Sequence, residues 1–441
     1  MSSSKRMMAD VSGGGWLPDE MIMEVLLRLP AKSLLRFRAV CRSWAALFST
    51  EQFRGLHMAT PKAAPPKLLF VSPTATSDSS TEVCSVSLSA GPEDDLKLFT
   101  LDSACGDSMQ LLMPAPCHGL NLLFDAVAPA YYICNAATRA VTRLPPFPRG
   151  FRHASAGLGF DARTRRYKVV RLIGGTHDDI ESVRCEVYTH GDHVGGGSPM
   201  DSWRPPAGGG VPLGLRRFAG AAVSDAQFHN LPPVFANGSL HWSLHPLSSK
   251  RPRAAVISFS LADETFSFIG PPPFWTSPAP LLASDPESIP YRNAELEGHL
   301  VQMDNQLCMV RDLRYDGNTG GCILEIWKLS DRSSGAWSLY HAVHLFGRVA
   351  RDLCRPEVMR VIGSTSGNGR LGKKIIIITS EHIMYDEFRK KAHTYDLSSE
   401  SLETILSIEE THASLEGVTP SSRFSLFEES LAPVHRFAEH A

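Results

Sequence analysis

Long apolar runs are missing from this chain. The longest unbroken aliphatic stretch is Ile375 to Ile378, far short of the ~20 residues a membrane-spanning helix needs. No membrane partner is expected. An excess of either charge is missing too: 44 Lys and Arg stand against 46 Asp and Glu, a formal net charge of −2. That leaves no global field to hold nucleic acid or an anionic membrane. The nine cysteines include no Cys-x-x-Cys pair, a pattern that suits a reducing compartment better than a disulfide framework. The opening MSSSKRMMADVSGGGW has no apolar core and does not read as a secretory signal. The expected location is cytoplasmic or nuclear, not secreted. In that compartment Asn237-Gly238-Ser239 reads as a turn, not a glycosylation acceptor.

The composition is that of a globular protein, 43% hydrophobic and 20% charged, in a chain long enough for one small and one large domain. Four segments are expected: a disordered N-terminus (1–15), a helical head (16–58), a Pro- and Ala-rich linker (59–67) and an all-β body (68–441). Three short helices are expected in the head. Leu17-Pro18-Asp19-Glu20 opens the first, because proline suits a first turn and the acids complement the helix dipole. Ile22, Val25, Leu26 and Leu29 then recur at helical spacing, and Pro30 ends the run. Leu34, Leu35 and Phe37 fall on a second helix; Val40, Cys41, Trp44, Leu47 and Phe48 fall on a third. A segment of about 40 residues cannot bury this much apolar surface alone. It needs a partner, either the rest of the chain or another protein.

The string LPDEMIMEVLLRLPAKSLLRFRAVCRSWAALFSTEQF resembles an F-box nearly from end to end. It has Leu17-Pro18, the Leu29-Pro30 break, Ser33-Leu34 and the closing Val40-Cys41-Arg42-Ser43-Trp44. The resemblance implies binding to the Skp adaptor of a cullin–RING ubiquitin ligase through a mostly apolar interface. Carried over, it puts Leu17, Pro18, Ile22, Val25, Leu29, Pro30, Leu34, Val40 and Trp44 at or supporting that interface, some of them as core within the motif. The alternative is a small helical bundle packed on the main domain, since a leucine stripe at helical spacing usually means core.

After the linker the periodicity changes from helical to alternating. Leu240, Trp242 and Leu244 alternate with Ser239, His241 and Ser243 behind Asn237-Gly238, a hairpin signal. Ile257, Phe259 and Leu261 lead through Ala262-Asp263-Glu264 to Phe266 and Phe268. Ile323–Leu329 and Ile375–Thr379 read as inner strands, and His393–Leu397 with Leu402–Leu406 as a late hairpin. A loose unit recurs, a strand followed by an Asn- or Asp-led turn and another strand, at Asn135 to Arg139 and again at Asp161 to Arg165. Repeated antiparallel units favour a β-propeller-like body, with irregular spacing that hides the number of blades. ICNAATRAVTRLPP followed by GLGFDARTRRYKVVRL resembles the F-box-associated domain of plant F-box proteins. Ala136 stands where that family usually has proline. Ser72–Lys97 and Gly191–Gly214 read as long, poorly ordered loops.

No catalytic constellation stands out, and neither cofactor nor metal is expected. Gly367 to Lys374 satisfies G-x-G-x-x-G and nearly a phosphate loop. Lys374, however, replaces the magnesium-binding hydroxyl, and a β-branched strand follows where a helix is required. Gly363 to Gly367 has threonine in place of an elbow nucleophile. Cys117-His118 and His177-Asp178-Asp179 have no metal-ligand spacing around them. Nine cations from Arg139 to Arg171 (Arg139, Arg143, Arg149, Arg152, Arg163, Arg165, Arg166, Lys168 and Arg171) share a stretch with one acid, Asp161. Arg163, Arg165 and Arg166 are thus candidates to grip an acidic or phosphorylated target; the alternative is solvated turn residues. The reading that joins these parts is a non-catalytic substrate receptor of a ubiquitin ligase. Its rivals are an F-box protein acting without the cullin or binding a carbohydrate or small ligand, and an enzyme using the Gly367 loop.

Overall fold

The computed structural model describes residues 18–60, 67–74, 77–88, 97–102, 109–146, 154–174, 183–190, 202–228, 231–244, 256–275, 298–314, 322–332, 334–344, 353, 356, 358–365, 373–384, 387–411 and 424–434. Leu17, Arg149, Arg152, His177 to Asp179 and 366–372 of the glycine-rich loop lie outside them, as does the expected 1–15 tail.

Four helices make the head: α1 (Asp19–Arg28), α2 (Ala31–Phe37), α3 (Arg42–Ser49) and α4 (Glu51–Ala59). Pro18 and Pro30 each sit at the N-cap, their carbonyls accepting the first backbone bonds from Ile22 (3.1 Å) and Leu34 (3.2 Å). Leu29, ahead of Pro30, is extended and ends α1, as a pre-proline residue must be. The fourth helix goes beyond the three expected. Thr50 starts it by accepting a bond from the Phe53 N–H at 3.2 Å, an ordinary capping signal.

The body is a six-bladed β-propeller. Its first blade pairs β1 (Lys67–Thr74), β2 (Ser77–Ser87) and β3 (Lys97–Asp102) with the last strand of the chain, β23 (Phe424–Phe427), in the order β23-β1-β2-β3. The second is β4 (Met109–Leu111), β5 (Asn121–Asp125), β6 (Ala130–Asn135) and β7 (Ala140–Arg143). The third is β8 (Ala154–Asp161), β9 (Arg166–Ile173) and β10 (Arg184–His190), extended by a bridge from Val187 to Arg204. The fourth is β11 (Val234–Ala236), β12 (Ser239–Ser243), β13 (Val256–Ser260) and β14 (Thr265–Ile269). The fifth is β15 (His299–Met303), β16 (Gln306–Asp312), β17 (Cys322–Asp331) and β18 (Ala336–His344). The sixth is β19 (Val358–Ser364), β20 (Lys374–Met384), β21 (Glu387–Asp396) and β22 (Ser401–Thr411). Every blade is an antiparallel meander, so each neighbouring blade covers one sheet face. That explains why Leu240, Trp242, Ser239, His241 and Ser243 are all buried despite their alternation.

Two expectations need correction. Ser72–Lys97 is not a loop throughout: β2 runs through it, hydrogen-bonded on both sides, with Thr81, Val83 and Ser85 buried, while 75–76 and 89–96 lie outside the described residues. Paired backbone on both flanks lets a hydroxyl-rich strand stay inside. Gly191–Gly214 is only partly a loop, since Arg204 bridges to β10 and a helix, α5 (Leu213–Phe228), begins within it. Its Ala219, Ala222 and Val223 are buried and small enough to let α5 lie close against β8 and β9. Leu215, Phe218, Ala219, Ala222 and Val223 form a helical stripe readable from spacing.

The two ends of the propeller differ. Strand direction alternates along each meander, so the connections between first and second strands, and between third and fourth, emerge on one face. All eight non-glycine residues with positive φ among the described residues lie there: His118, Arg139, Arg165, Asn237, Glu264, Asp304, Asn305 and Glu400. Asn237-Gly238 is the expected two-residue turn, with φ +49° and +72°. The recurring Asx-led turn has one mechanism. Asn135, Asp161 and Asp396 each accept two backbone N–H bonds from two and three residues ahead, at 2.8–3.3 Å. Four residues on, Arg139, Arg165 and Glu400 turn left-handed to re-enter the sheet. The other face receives the connections from blade to blade, including those between Arg204 and Val234 and between Ile269 and His299.

β23 closes the ring by pairing Phe424 to Phe427 with Phe70 to Lys67. Asn121 adds side-chain bonds from β5 to Ser425 Oγ at 2.9 Å and to the Leu426 carbonyl at 3.3 Å. Phe424 is fully buried against Phe70. Phe424→Ala should therefore lower unfolding free energy by about 3–5 kcal/mol, read from urea denaturation. An unaltered midpoint would mean that the closing strand is not part of the cooperative unit.

Burial holds the imidazoles of His241 and His299 down to about 3, from 6.5; near Arg332 and Arg360 respectively, cationic charge adds to the effect. Both stay neutral in the fold while the unfolded chain takes up protons near pH 6.5. The unfolded state therefore binds more protons, and stability falls as pH drops from 6.5 toward 3. His241→Gln should flatten that dependence by about 1 kcal/mol per pH unit, measured as denaturation midpoints across the window.

Candidate functional site

The head has an inner and an outer surface. Leu26, Leu27, Ala31, Leu34, Phe48 and Phe53 form its core together with Leu431 from the propeller's tail, and Ala137 of the β6–β7 turn packs alongside. Aromatic rings run through it from Phe37 to Trp44, Phe48 and Phe53, with centroids 5.1–6.2 Å apart. His57 hydrogen-bonds to the Leu29 carbonyl at 3.0 Å and ties α4 to the α1–α2 joint. The outer surface is not closed. Met21 (53% exposed) and Val25 (54%) lie one turn apart on α1, and Val40 (65%) follows α2.

The predicted adaptor residues separate accordingly. Val25 and Val40 are open to solvent, as are Pro18 and Pro30 at the helix starts. Ile22, Leu29 and Trp44 are half-buried at the margin of the core, while Leu34 is fully enclosed and belongs to it. Periodicity does not separate these, because inward and outward stripes on such short helices share the same residue types. Met21 and Leu56 (45% exposed) escape the sequence reading; Met21 sits three and four residues from Pro18 and Val25.

The arginine-rich stretch turns out to be largely engaged by the chain itself. Arg163 donates to the Ala262 carbonyl and pairs with Asp263, both on the next blade. Arg165 donates to the Glu51 carbonyl of α4 at 3.1 Å, so it holds the head to the propeller. Arg166 opens β9 beside it. Lys168 and Arg171 are buried, contrary to a wholly solvated cluster. Lys168 Nζ contacts Asp161 (2.9 Å), Glu264 (3.0 Å) and the Leu261 carbonyl (2.6 Å). Glu264 also accepts two bonds from Arg204, both 2.6 Å, and one from the Ala207 N–H. Arg171 pairs with Glu186 and lies 3.7 Å over the Trp203 ring. The pairs of Lys168 and Arg204 with Glu264 form a seam between the third and fourth blades, whereas Arg171 and Glu186 pair within the third.

Cys117 and His118 lie in the tight turn between β4 and β5. Cys117 and Leu120 exchange backbone bonds at 2.8 and 3.0 Å, and His118 and Gly119 have φ of +47° and +81°. Burial raises the Cys117 thiol well above its usual range, which disfavours a thiolate. The His118 ring packs edge-on against Phe160 and Phe235. Gly119 is required by a close approach: a Cβ there would lie 2.2 Å from Ser430 Cβ and 2.9 Å from the Glu428 carbonyl. Lys374 begins a strand that pairs with β19, so no helix follows the glycine-rich loop.

A helical head with exposed apolar side chains is seated on a closed propeller. The F-box domain family profile matches residues 16–54. The chain is similar to two F-box proteins of Arabidopsis thaliana at 24% identity. The alignment covers 76% of this chain and 81% of one, and 100% of this chain and 84% of the other. An F-box/LRR-repeat/kelch-repeat protein of the same plant is 27% identical over 58% of this chain and 65% of its own length. The chain carries an F-box domain at its N-terminus, ahead of a six-bladed β-propeller.

The buried seam makes a measurable demand. Lys168→Met leaves Asp161 and Glu264 enclosed with less positive charge, and should cost about 3–5 kcal/mol at neutral pH. Burial opposes ionisation of Glu264, but Arg204, the Ala207 N–H and Lys168 hold it down to about 2 from 4.5. Its contribution is full above pH 4.5 and is lost as pH falls toward 2. Acid titration of wild type and Lys168→Met checks both, and matching profiles would refute the seam's role.

Proposed function

We propose that this protein is the substrate-recognition subunit of an SCF-type (Skp–cullin–F-box) ubiquitin ligase, bridging the Skp adaptor to a protein target. The observation that carries the reading is the apolar surface of the head, where Met21, Val25 and Val40 remain in water although six neighbouring side chains reach the core. Large apolar side chains left in water on so small a head point to a partner that covers them. Pro18, Ile22, Leu29, Pro30 and Trp44 border this surface in our reading, with Leu17 just ahead of it.

Target binding is assigned to the propeller face opposite the head. That face carries the blade-to-blade connections, among them Arg204 to Val234 and Ile269 to His299, and loops on a rigid scaffold are where recognition residues concentrate. The chain contributes no side-chain chemistry; it raises the effective concentration of target lysines near a ubiquitin-charged enzyme. Among the described residues no helix is long and apolar enough to cross a membrane, and a cytoplasmic or nuclear location follows from the ligase reading.

Capture of purified Skp adaptor by the full chain tests this. Val25→Asp combined with Val40→Asp should weaken capture by about 100-fold, since two charges would be buried unpaired. Leu17→Ala with Pro18→Ala should also abolish it. The thermal melt of the propeller should stay unchanged in both. Undiminished capture by the double aspartate variant would sink the proposal.

A further inference from the structure

A cleft of 610 Å³ opens where the head meets the propeller, a size ordinary for small-molecule sites. One wall is α4 and the other is the β8–β9 hairpin, with the tail after β23 as the floor. Among the described residues that line it, Arg54, Arg165 and Arg166 stand with one carboxylate, Glu51, and the charge of Glu428 also reaches Tyr167. The whole chain carries a net charge of −2, so this positive concavity is local. Low-dielectric walls would focus its field on an entering anion.

Two local features aim Arg165 at α4. Its backbone is left-handed, φ +55°, at the end of the Asp161-led turn. Its guanidinium also lies over Gly55, where a Cβ would be 2.1 Å from Nη2. One N–H is given to the Glu51 carbonyl, and a guanidinium carries five. The remaining lining is apolar: the rings of Phe160 and Tyr167, 5.0 Å apart, face the cleft with Met58 and Pro433.

We infer that this cleft binds a small organic anion, a carboxylate, sulfonate or phosphate joined to a flat apolar body. The anionic group meets Arg54, Arg165 and Arg166 through charge-assisted bonds. The body lies against Met58 and the two rings. Because the walls belong to different domains, the bound molecule also braces the head against the propeller. This site is separate from the adaptor surface and does not depend on ligase assembly.

Calorimetric titration of the full chain with naphthalene sulfonate tests the inference. Saturable binding of one molecule per chain is expected, about tenfold or more tighter than naphthalene sulfonamide or inorganic sulfate. Arg54→Gln combined with Arg166→Gln should lose about tenfold in affinity. Gly55→Met, which fills the cleft, should abolish binding. Its clash is with a flexible guanidinium and methionine is a better helix former than glycine, so this variant keeps the fold if the double variant does not. Absence of saturable binding, or equal affinity in Gly55→Met, overturns the proposal. Tighter binding of a phosphotyrosine peptide than of naphthalene sulfonate overturns it in favour of a protein ligand.

Discussion

Closure of the propeller by its own last strand is the constraint on which the other features rest. β23 pairs with β1 across almost the whole length of the body, and the entropy of bringing such distant segments together rises only slowly with separation. The ring joins only when its last strand arrives. The segment beyond β23 then has a fixed place. Asn135 on β6 donates to the carbonyls of Ser430 and Ala432 at 3.1 and 2.8 Å, and His190 on β10 hydrogen-bonds to the Pro433 carbonyl. Held on both sides, the tail presents Leu431 to the head, where it completes the F-box core. The strand that closes the ring thus also supplies the seat for the docking module.

The two ends of the propeller differ in build. Asx-led and two-residue turns on the head side satisfy their backbone bonds within the turn. Arg165, thrown outward by one of these turns, reaches α4. The opposite end carries the blade-to-blade connections. Tight turns transmit position, while loops tolerate variation. The seam between the third and fourth blades adds rigidity beside the head. A buried ion pair is weak evidence for stability in itself, but here Lys168 and Glu264 bond across blades and fix their register.

Much of the head is legible in the sequence. Pro18 and Pro30 lie where helices begin, and the first two amphipathic repeats are helices as expected; the third helix starts only at Arg42, leaving Val40 and Cys41 ahead of it. The division of each stripe between inside and outside is not legible: Leu34 and Val25 are similar aliphatic residues at helical positions, yet one is sealed and the other open. That depends on Leu431, some four hundred residues away. In the body, Asn237-Gly238, the Ala262 to Glu264 turn and the Asn135 and Asp161 repeats give true local geometry. The serine-rich β2 reads wrongly because hydroxyls look like loop until both neighbouring strands are known. α5 begins at the very end of a glycine- and proline-rich stretch, although its alanines are spaced for a close-packed face.

The sequence by itself determined where the first two helices start, that several turns are tight and that the chain changes from helical head to β body, because these follow from contacts within a few residues. Tertiary structure alone decided the number of blades, the burial of Lys168 and Arg171 and the cleft beneath α4. Each of these needs partners from distant segments, and nothing in local spacing records which distant segment will arrive. A cationic run is solvated or sealed according to whether Glu264 and Glu186 come to meet it. An apolar helix face becomes core or docking surface according to what the closed ring leaves uncovered.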